Sequence, residues 1–501
     1  MTLNLKQNLS RYIDACFPIL YINTFEESKT EDLLNQIADR RRIIKWSSAE
    51  GYSEFSTKTN EFEVPPTKKP FGELLDVLLA SPNDLHRTFF VIKDAHIILE
   101  NQEYLLGLKE IALRISNGLD SHIVLISPVV KIPVELEKYI TILESDYQGY
   151  DEIYKIIKEF ISYNKLDYVN EKLIEEMAVA FKGLSEFEIG NILALAVAED
   201  SELTRKDLQL IFEQKKQMIL KSGILEMIPL KESIKDIGGL ENLKSWLERK
   251  AQVIKNINKA ESFGVDMPKG VLICGVPGCG KSLCAKAAAN LFEVPLLRLD
   301  IGKLMGKYLG ESEANMRKAI NLAEAISPCV LWIDELEKAF AGMGSDGGHE
   351  VTTRLFGSFL TWMQEKTGTA FVVATANDIT KLPPELLRKG RFDEIFYVGL
   401  PNDSERRKIL EIHIGKRREA DLIKINLNEL VEKTNGYSGA DIEGVVKDGV
   451  EYAFTNNKSE LVTTDILTAI RDTHSLSEIM KEPLEKMKKE YETRKFKNAS
   501  R

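Results

Sequence analysis

The sequence predicts an α/β protein built as two tandem modules. Each is a parallel sheet with flanking helices followed by a helical lid, and the first is a degenerate version of the second. Three observations predict this. Apolar runs of strand length alternate with helical periodicity over residues 1–150 and again over 236–400, the pattern of parallel strands joined by crossover helices. Wholly helical sequence follows each alternating region, at 151–220 and at 401–475. Short segments of the first half recur, in the same order, in the second. With 501 residues, 44% apolar and 29% charged, the chain can bury a core in each of two or three domains.

In the first half, Phe17–Asn23 (FPILYIN) reads as a buried strand, Glu31–Arg41 as a helix and Ile43–Trp46 as a second strand. Residues 56–70, STKTNEFEVPPTKKP, have loop composition. Phe71–Leu79 is helical, Thr88–Lys93 a strand, Tyr104–Asn117 a helix and His122–Ser127 another apolar strand. From Asp151 to Leu220 the pattern is helical throughout, and residues 221–235 read as a linker. The Lys-rich stretch 476–501, interrupted by Pro483, reads as a solvated helical tail, with membrane or partner contact as the alternative.

The second half carries the chemistry. Gly275–Ser282, GVPGCGKS, fits G-x-x-x-x-G-K-S between the apolar run Val271–Cys274 and a helix continuing through Leu283. That strand–loop–helix context is what a phosphate-binding loop requires. The loop Gly275, Val276, Pro277, Gly278, Cys279 and Gly280 turns backbone N–H groups onto a nucleotide's phosphates, and the helix N-terminus adds partial positive charge. Lys281 is expected to reach the β and γ phosphates and Ser282 to help hold Mg²⁺. Val330–Ile333 is a strand ending in Asp334-Glu335, at the sheet edge where α/β folds bind ligands. Asp334 would orient Mg²⁺ and Glu335 would polarise the attacking water. After the strand Phe371–Ala374, Asn377 can hold that water and the γ-phosphate without adding charge. Arg388 and Arg391, in LLRKGRFDE, are candidate arginine fingers or, singly, surface ion-pair partners.

Composition narrows the partners. A net charge of −10 argues against nucleic acid as the default ligand. No apolar run is long enough to span a bilayer, and MTLNLKQNLSRY lacks a charged-then-apolar signal pattern. The expectation is a soluble intracellular protein without membrane insertion. Cys16, Cys274, Cys279, Cys284 and Cys329 match no zinc spacing, and an odd count reads as reduced thiols. Cys279, inside the phosphate loop, is either a thiol activated by the helix N-terminus and open to oxidative inhibition, or a small space-filler.

Laid side by side, the halves correspond. Ile19–Ile22 falls on Val271–Cys274, and NTFEESKT (Asn23–Thr30) on GVPGCGKS. Asn23 and Ser28 replace signature glycines, and Glu26 and Glu27 bring negative charge where phosphate should lie. TFFVIKDAH (Thr88–His96) aligns with CVLWIDELE (Cys329–Glu337), placing Lys93 on Asp334 and Asp94 on Glu335. A lysine there repels Mg²⁺. KIPVEL (Lys131–Leu136) matches KLPPEL (Lys381–Leu386), and GLSEFEIGNIL (Gly183–Leu193) matches GYSGADIEGVV (Gly436–Val446). Ser127-Pro128 stands where Asn377 does, and Glu137-Lys138 where Leu387-Arg388 does.

DIGGL (Asp236–Leu240), GVPGCGKS, YLGESE, LWIDE, ATAN, LLRKGRFDE, the run from Pro401 to His413 and GYSGADI together resemble the AAA family of ATPases over roughly residues 232–475. The two-domain layout with a degenerate first copy looks like the AAA proteins of cyanobacteria and algal plastids. The resemblance implies ATP and Mg²⁺ as cofactors, hydrolysis of ATP to ADP and phosphate, and a homohexameric ring. It places Ile237 and Gly238 beside adenine and His413 near the adenine–ribose end. Arg388 and Arg391 would act in trans on a neighbouring subunit's ATP. Gly439 and Ala440 take a position where many relatives carry Arg. Tyr308, Leu309 and Gly310 resemble an aromatic pore loop that grips a polypeptide, and the glycine-rich Ala341–His349 would be a second pore loop. The implied activity is ATP-driven remodelling of a protein client. An ATP-switched regulatory scaffold is the alternative, and a nucleic-acid motor is disfavoured. A membrane metalloprotease relative is excluded by the lack of H-E-x-x-H and of a spanning segment.

Overall fold

A computed structural model describes residues 5–24, 26–39, 41–56, 59, 61–65, 68–144, 148–166, 168–221, 223–304, 311–340, 349–366, 368–388 and 390–501. The chain divides into two compact units, residues 1–149 with 185–191, and 150–184 with 192–501.

The first unit is built on seven strands: β1 (Ile19–Asn23), β2 (Arg42–Ser47), β3 (Gly51–Ser56), β4 (Glu61–Glu63), β5 (Thr88–Lys93), β6 (Ser121–Ser127) and β7 (Ile140–Glu144). They lie in the order β4-β3-β2-β5-β6-β1-β7. The run from β2 to β7 is parallel. These strands are apolar on both faces because helices cover both faces. Tyr21, Phe90, Ile92 and Leu125 pack toward helices Phe71–Ala80 and Gln102–Ser116, while Leu20, Ile22, Phe89 and Val124 pack toward Leu5–Asp14 and Glu27–Ile37. The loop expected over 56–70 contains β4, which pairs antiparallel with β3. Phe62 meets Phe55 edge-on across that pair, a packing contact that outweighs the loop-like composition around it.

The second sheet has β8 (Leu225–Ile228), β9 (Gly270–Gly275), β10 (Leu296–Leu299), β11 (Cys329–Ile333), β12 (Ala370–Ala376), β13 (Glu394–Val398) and β14 (Lys497–Asn498). Their order is β14-β13-β9-β12-β11-β10-β8. Its central run β13-β9-β12-β11-β10 repeats the connectivity of β7-β1-β6-β5-β2. The first strand in each case lies between the fourth and the fifth. Chain direction across the sheet therefore reverses beside β9, and the loop after β9 opens at a topological switch point.

Two sequence expectations are corrected here. The linker 221–235 contributes β8, which pairs antiparallel with β10, and its Leu225 and Met227 are buried. The tail is not solvated throughout. Its helix Lys481–Arg494 holds Pro483 in the first turn, where a missing N–H breaks no intrahelical bond. Tyr491 is 2% exposed and stacks on Tyr397 with ring centroids 4.2 Å apart. Beyond it β14 pairs with β13, the Ala499 N–H donates to the Tyr397 carbonyl, and the Ala499 carbonyl accepts from the N–H groups of Asn242 and Leu243. The last two bonds satisfy donors at the start of helix Glu241–Lys255 that have no partner within the helix.

Helices Glu241–Lys255 and Lys281–Phe292 cover one face of this sheet. Glu311–Ile326 and His349–Glu365 cover the other, joined by Ile219 from helix Asp207–Lys221. The lid comprises helices Asp403–Arg418, Leu427–Lys433, Gly439–Thr455 and Thr463–Asp472 around Leu410, Ile414, Leu430, Ile442 and Ile466. Among the described residues no helix is long and apolar enough to cross a membrane.

Candidate active site

The buried strand β9 ends at Gly275, with φ +140°; a Cβ there would stand 2.0 Å from the Val398 carbonyl oxygen. Gly278 and Gly280 take φ of +73° and +85°, a left-handed backbone that side chains other than glycine adopt at a cost. Gly280 then starts helix Lys281–Phe292. Lys281 is buried at the base of the loop, its Nζ donating to the carbonyls of Gly275 (3.0 Å) and Val276 (2.8 Å). Burial pulls its pKa down, and nearby thiols and carboxylates only partly offset this. An ammonium so placed gains most from an anion brought to the loop.

β11 and β12 bring the second group together. Asp334 accepts from the Ser282 hydroxyl at 3.0 Å and from the Thr375 hydroxyl. Thr375 in turn accepts the Glu335 N–H at 3.1 Å. Glu335 has φ +51°, so its carboxylate leaves the strand end on a left-handed turn. Its Oε1 accepts from Asn377 Nδ2 at 3.4 Å, and its Oε2 pairs with Lys338. The Asn377 N–H donates to Glu337 Oε1 at 3.0 Å. Motif reading missed Thr375 and Glu337. A hydroxyl in the otherwise apolar strand AFVVATA was the available signal for Thr375, whereas Glu337 had none, because acidic residues after a strand are common.

Ser282 and Asp334 thus present two oxygens side by side, the kind of protein contribution that suits Mg²⁺, which keeps several waters and binds the remainder through phosphate. Among the described residues no group of three or more His, Cys, Asp or Glu is placed to hold a metal by itself.

The lid closes over the loop. The Ala440 N–H donates to the Gly278 carbonyl at 2.9 Å, and a Cβ on Gly278 would meet Ala440 Cβ and Ser438 Oγ at 3.0 Å. Gly439 and Ala440 therefore seat the start of helix Gly439–Thr455, capped by Ser438 and Asp441, on the phosphate loop. Under this cover the Cys279 thiol is pushed up to about 11 by burial, with the Gly439 hydrogen bond a smaller opposing effect. The activated thiol considered from the sequence is not what forms, since desolvation outweighs the helix N-terminus.

At the far end, Gly238 abuts the lid helix Asp403–Arg418; a Cβ on it would lie 2.5 Å from Ile409 Cγ1. The Leu240 N–H donates to Glu405 Oε1 at 2.9 Å, and Asp236 pairs with Lys416 at 2.6 Å, which holds its carboxyl at about 2. Ile237 is buried beside this junction, and His413 lies one turn beyond Ile409, its pKa lowered by burial. Gly238 thus meets the lid helix that carries His413, and Ile237 precedes Gly238 in the chain. Arg388 is exposed and Arg391 donates to the Glu385 carbonyl; among the described residues neither bonds to the phosphate loop. Tyr308, Leu309 and Gly310 lie outside the described residues, as do 341–348.

At the matching strand ends of the first unit the side chains close on one another. Lys93 pairs with Glu27 at 2.6 Å and Glu31 at 3.1 Å, and Lys45 pairs with Glu31 at 3.1 Å and Glu50 at 3.5 Å. Asp94, the residue after Lys93, has the same φ of +51° as Glu335.

Comparison with known proteins agrees with this geometry. Residues 271–400 match the AAA family, the ATPase family associated with various cellular activities, and 424–469 match the AAA+ lid domain. Residues 5–145 and 151–222 match the N-terminal and second domains of SpoVK-like AAA ATPases. The chain is 38% identical to the "Uncharacterized AAA domain-containing protein ycf46" of Guillardia theta, over 92% of this chain and 89% of that protein. Identity to the protein so named in Pyropia yezoensis is 35%, over 97% of each. A "Cell division cycle protein 48 homolog" of Archaeoglobus fulgidus is 30% identical over 64% of this chain and 46% of its own length. With the phosphate loop, the paired carboxylates and the seated lid in one unit, the chain belongs to the AAA family of ATPases.

Proposed function

We propose that the second unit binds Mg²⁺·ATP and hydrolyses it, and that the chain works as a homohexameric ring remodelling a protein client. The hydrogen-bonded run Ser282–Asp334–Thr375–Glu335–Asn377 carries this reading, because it joins a metal-side pair to a base and an amide. Bound Mg²⁺·ATP supplies the transferable phosphoryl group and the shielding of its charge. Lys281 binds the phosphates, Ser282 and Asp334 take the metal's water shell, and Asn377 orients the water that Glu335 deprotonates. Ile237, Gly238 and His413 hold the base and ribose end. Arg388, exposed and without a side-chain partner among the described residues, suits action on the next subunit, with Arg391 beside it, and Tyr308, Leu309 and Gly310 contact the client.

The first unit is a degenerate module that does not turn over nucleotide. Lys93 stands in the metal's place, and Glu27 and Glu31 occupy with their own charge the side on which phosphate would lie. This unit serves assembly or partner docking, in the cytoplasm or the plastid stroma.

Two measurements test the reading. Glu335→Gln should bind ATP and lose on the order of 10²–10⁴ in turnover, the usual worth of a general base. Lys281→Ala and Arg388→Ala, each inactive alone, should on mixing regain about a quarter of wild-type activity, since one interface in four combines both intact halves. Wild-type turnover in Glu335→Gln would end the hydrolytic assignment, and mixtures as inactive as their components would end the trans assignment.

A further inference from the structure

Glu337 lies in the short helical turn Leu336–Phe340 and is 6% exposed. Its Oε1 takes the Asn377 N–H, and among the described residues its buried Oε2 has no hydrogen-bond partner. A carboxylate so desolvated and half-paired costs free energy that an apolar side chain of similar size would not. Packing alone therefore gives no reason for it. What it does is fix the backbone at Asn377, whose side-chain amide reaches the Glu335 carboxylate.

The first unit supplies an independent comparison. His96, which follows Asp94 by two residues as Glu337 follows Glu335, places Nδ1 2.7 Å from the Ser127 hydroxyl at the end of β6. Both units thus brace the end of the fourth core strand with a side chain from the turn after the third, through different chemical groups. In the first unit the brace borders Lys93 and its ion pairs. In the second it borders Glu335.

We propose that Glu337 is a positioning residue for the hydrolysis assigned above, on which this inference rests. It holds the Asn377 backbone so that the Asn377 amide faces Glu335 and the attacking water, and it touches neither the nucleotide nor the water itself. Losing the brace leaves binding intact and misplaces the amide at the reacting centre.

The experiment uses the full chain, steady-state ATPase assays and binding of a fluorescent ATP analogue. Glu337→Ala should lower kcat about tenfold or more, with KM and analogue Kd within about twofold of wild type. Glu337→Gln keeps the acceptor oxygen and should regain most of the lost kcat. The double variant Glu337→Ala/Asn377→Ala should be no slower than Asn377→Ala alone, because the brace acts only through Asn377. The inference is overturned if Glu337→Ala leaves kcat near wild type, if KM and Kd rise in step with the loss, or if the two losses multiply. Should Glu337→Ala not fold, Glu337→Gln decides, and a loss as large as that of Asn377→Ala overturns it. An unimpaired Glu337→Ala beside an inactive Glu335→Gln removes this inference alone, whereas an active Glu335→Gln removes the hydrolytic reading.

Discussion

Lys93→Met tests whether the first unit holds its sheet edge together with its own charges. The lysine is 18% exposed and pairs with Glu27 (27% exposed) and Glu31 (13% exposed). Removing one partner of a fully buried pair costs about 3–5 kcal/mol, and of an exposed pair about 0–1. This site lies between those limits. Glu31 keeps Lys45 at 3.1 Å, and Glu27 is open enough to recover water. The loss should therefore be about 2 kcal/mol, which for a unit of this size lowers Tm by about 4–8 °C. Scanning calorimetry of the full chain should show the transition of the first unit moving and that of the second staying in place.

Two companions to that variant sharpen the test. Lys93→Met/Glu27→Gln should be less destabilised than Lys93→Met, because the second change removes the charge that the first left unpaired. The pH dependence also has a definite sign. Burial pulls the Lys93 pKa down, but the hydrogen bonds and charges of Glu27 and Glu31 together outweigh it, so the folded value is raised. A raised lysine contributes stability that is complete below the ordinary lysine range and lost as pH rises through the folded value. The deficit of Lys93→Met should thus be full near neutrality and shrink only in strong alkali. A Tm within about 1 °C of wild type, or additive effects in the double variant, would refute the argument.

The remaining predictions concern the second unit. Asp236→Asn, which breaks the tie to Lys416 on the lid helix, should raise the KM for ATP a few-fold with kcat unchanged. The same carboxyl at about 2 stays ionised above pH 4, so the contribution of its pair is lost only as pH falls from about 4 toward 2, and KM measured between pH 6 and 8 should show no dependence on it. Ala499→Glu puts a charged chain where Ala499 is 0% exposed between Tyr397 and the start of helix Glu241–Lys255. It should cost about 1–3 kcal/mol and be visible as a lower midpoint in urea. Peroxide should inhibit Cys279→Ser as much, or as little, as wild type, because the desolvated thiol carries almost no thiolate at neutral pH.

The parts legible in the sequence were those whose signal is local. Strand runs such as ILYI, FFVI, VLIC and FVVA are apolar on both faces, and the phosphate loop declares itself by glycines at fixed offsets from a lysine. β4, β8 and β14 were not legible. Each is two to four residues long, and each exists because a neighbouring strand offers an unpaired edge, which no short window of sequence contains. The same holds within the site. Asp334 and Glu335 were visible at the end of an apolar strand, but Thr375, which ties them together, and Glu337, which holds Asn377, act across forty residues of chain. Cys279 failed for a related reason. Its sequence neighbours favour a thiolate, and the lid that desolvates it is more than a hundred residues away.

The two sheet edges together separate what the fold imposes from what the chemistry needs. A left-handed glutamate at a strand end invites a functional explanation, since such strain collects at active sites and costs about 1–3 kcal/mol. Asp94 carries the same φ of +51° beside a lysine that is ion-paired with Glu27 and Glu31, so that turn belongs to the way this strand passes into the next helix. Strain at Glu335 is then no argument for catalysis. The two units are set apart by the side chains that differ at these strand ends. Sheet register puts Ile126 beside Lys93 in the first unit, where the second has Thr375 beside Asp334. That hydroxyl links the Asp334 carboxylate to the Glu335 backbone in the second unit. The second unit has glycines at 275, 278 and 280 with positive φ, whereas in the first unit Glu27 and Glu31 close on the lysine. The same core strand order thus carries a hydroxyl–carboxylate chain in one unit and an internal ion-pair network in the other, and under the proposed function the capacity for chemistry resides in those contacts.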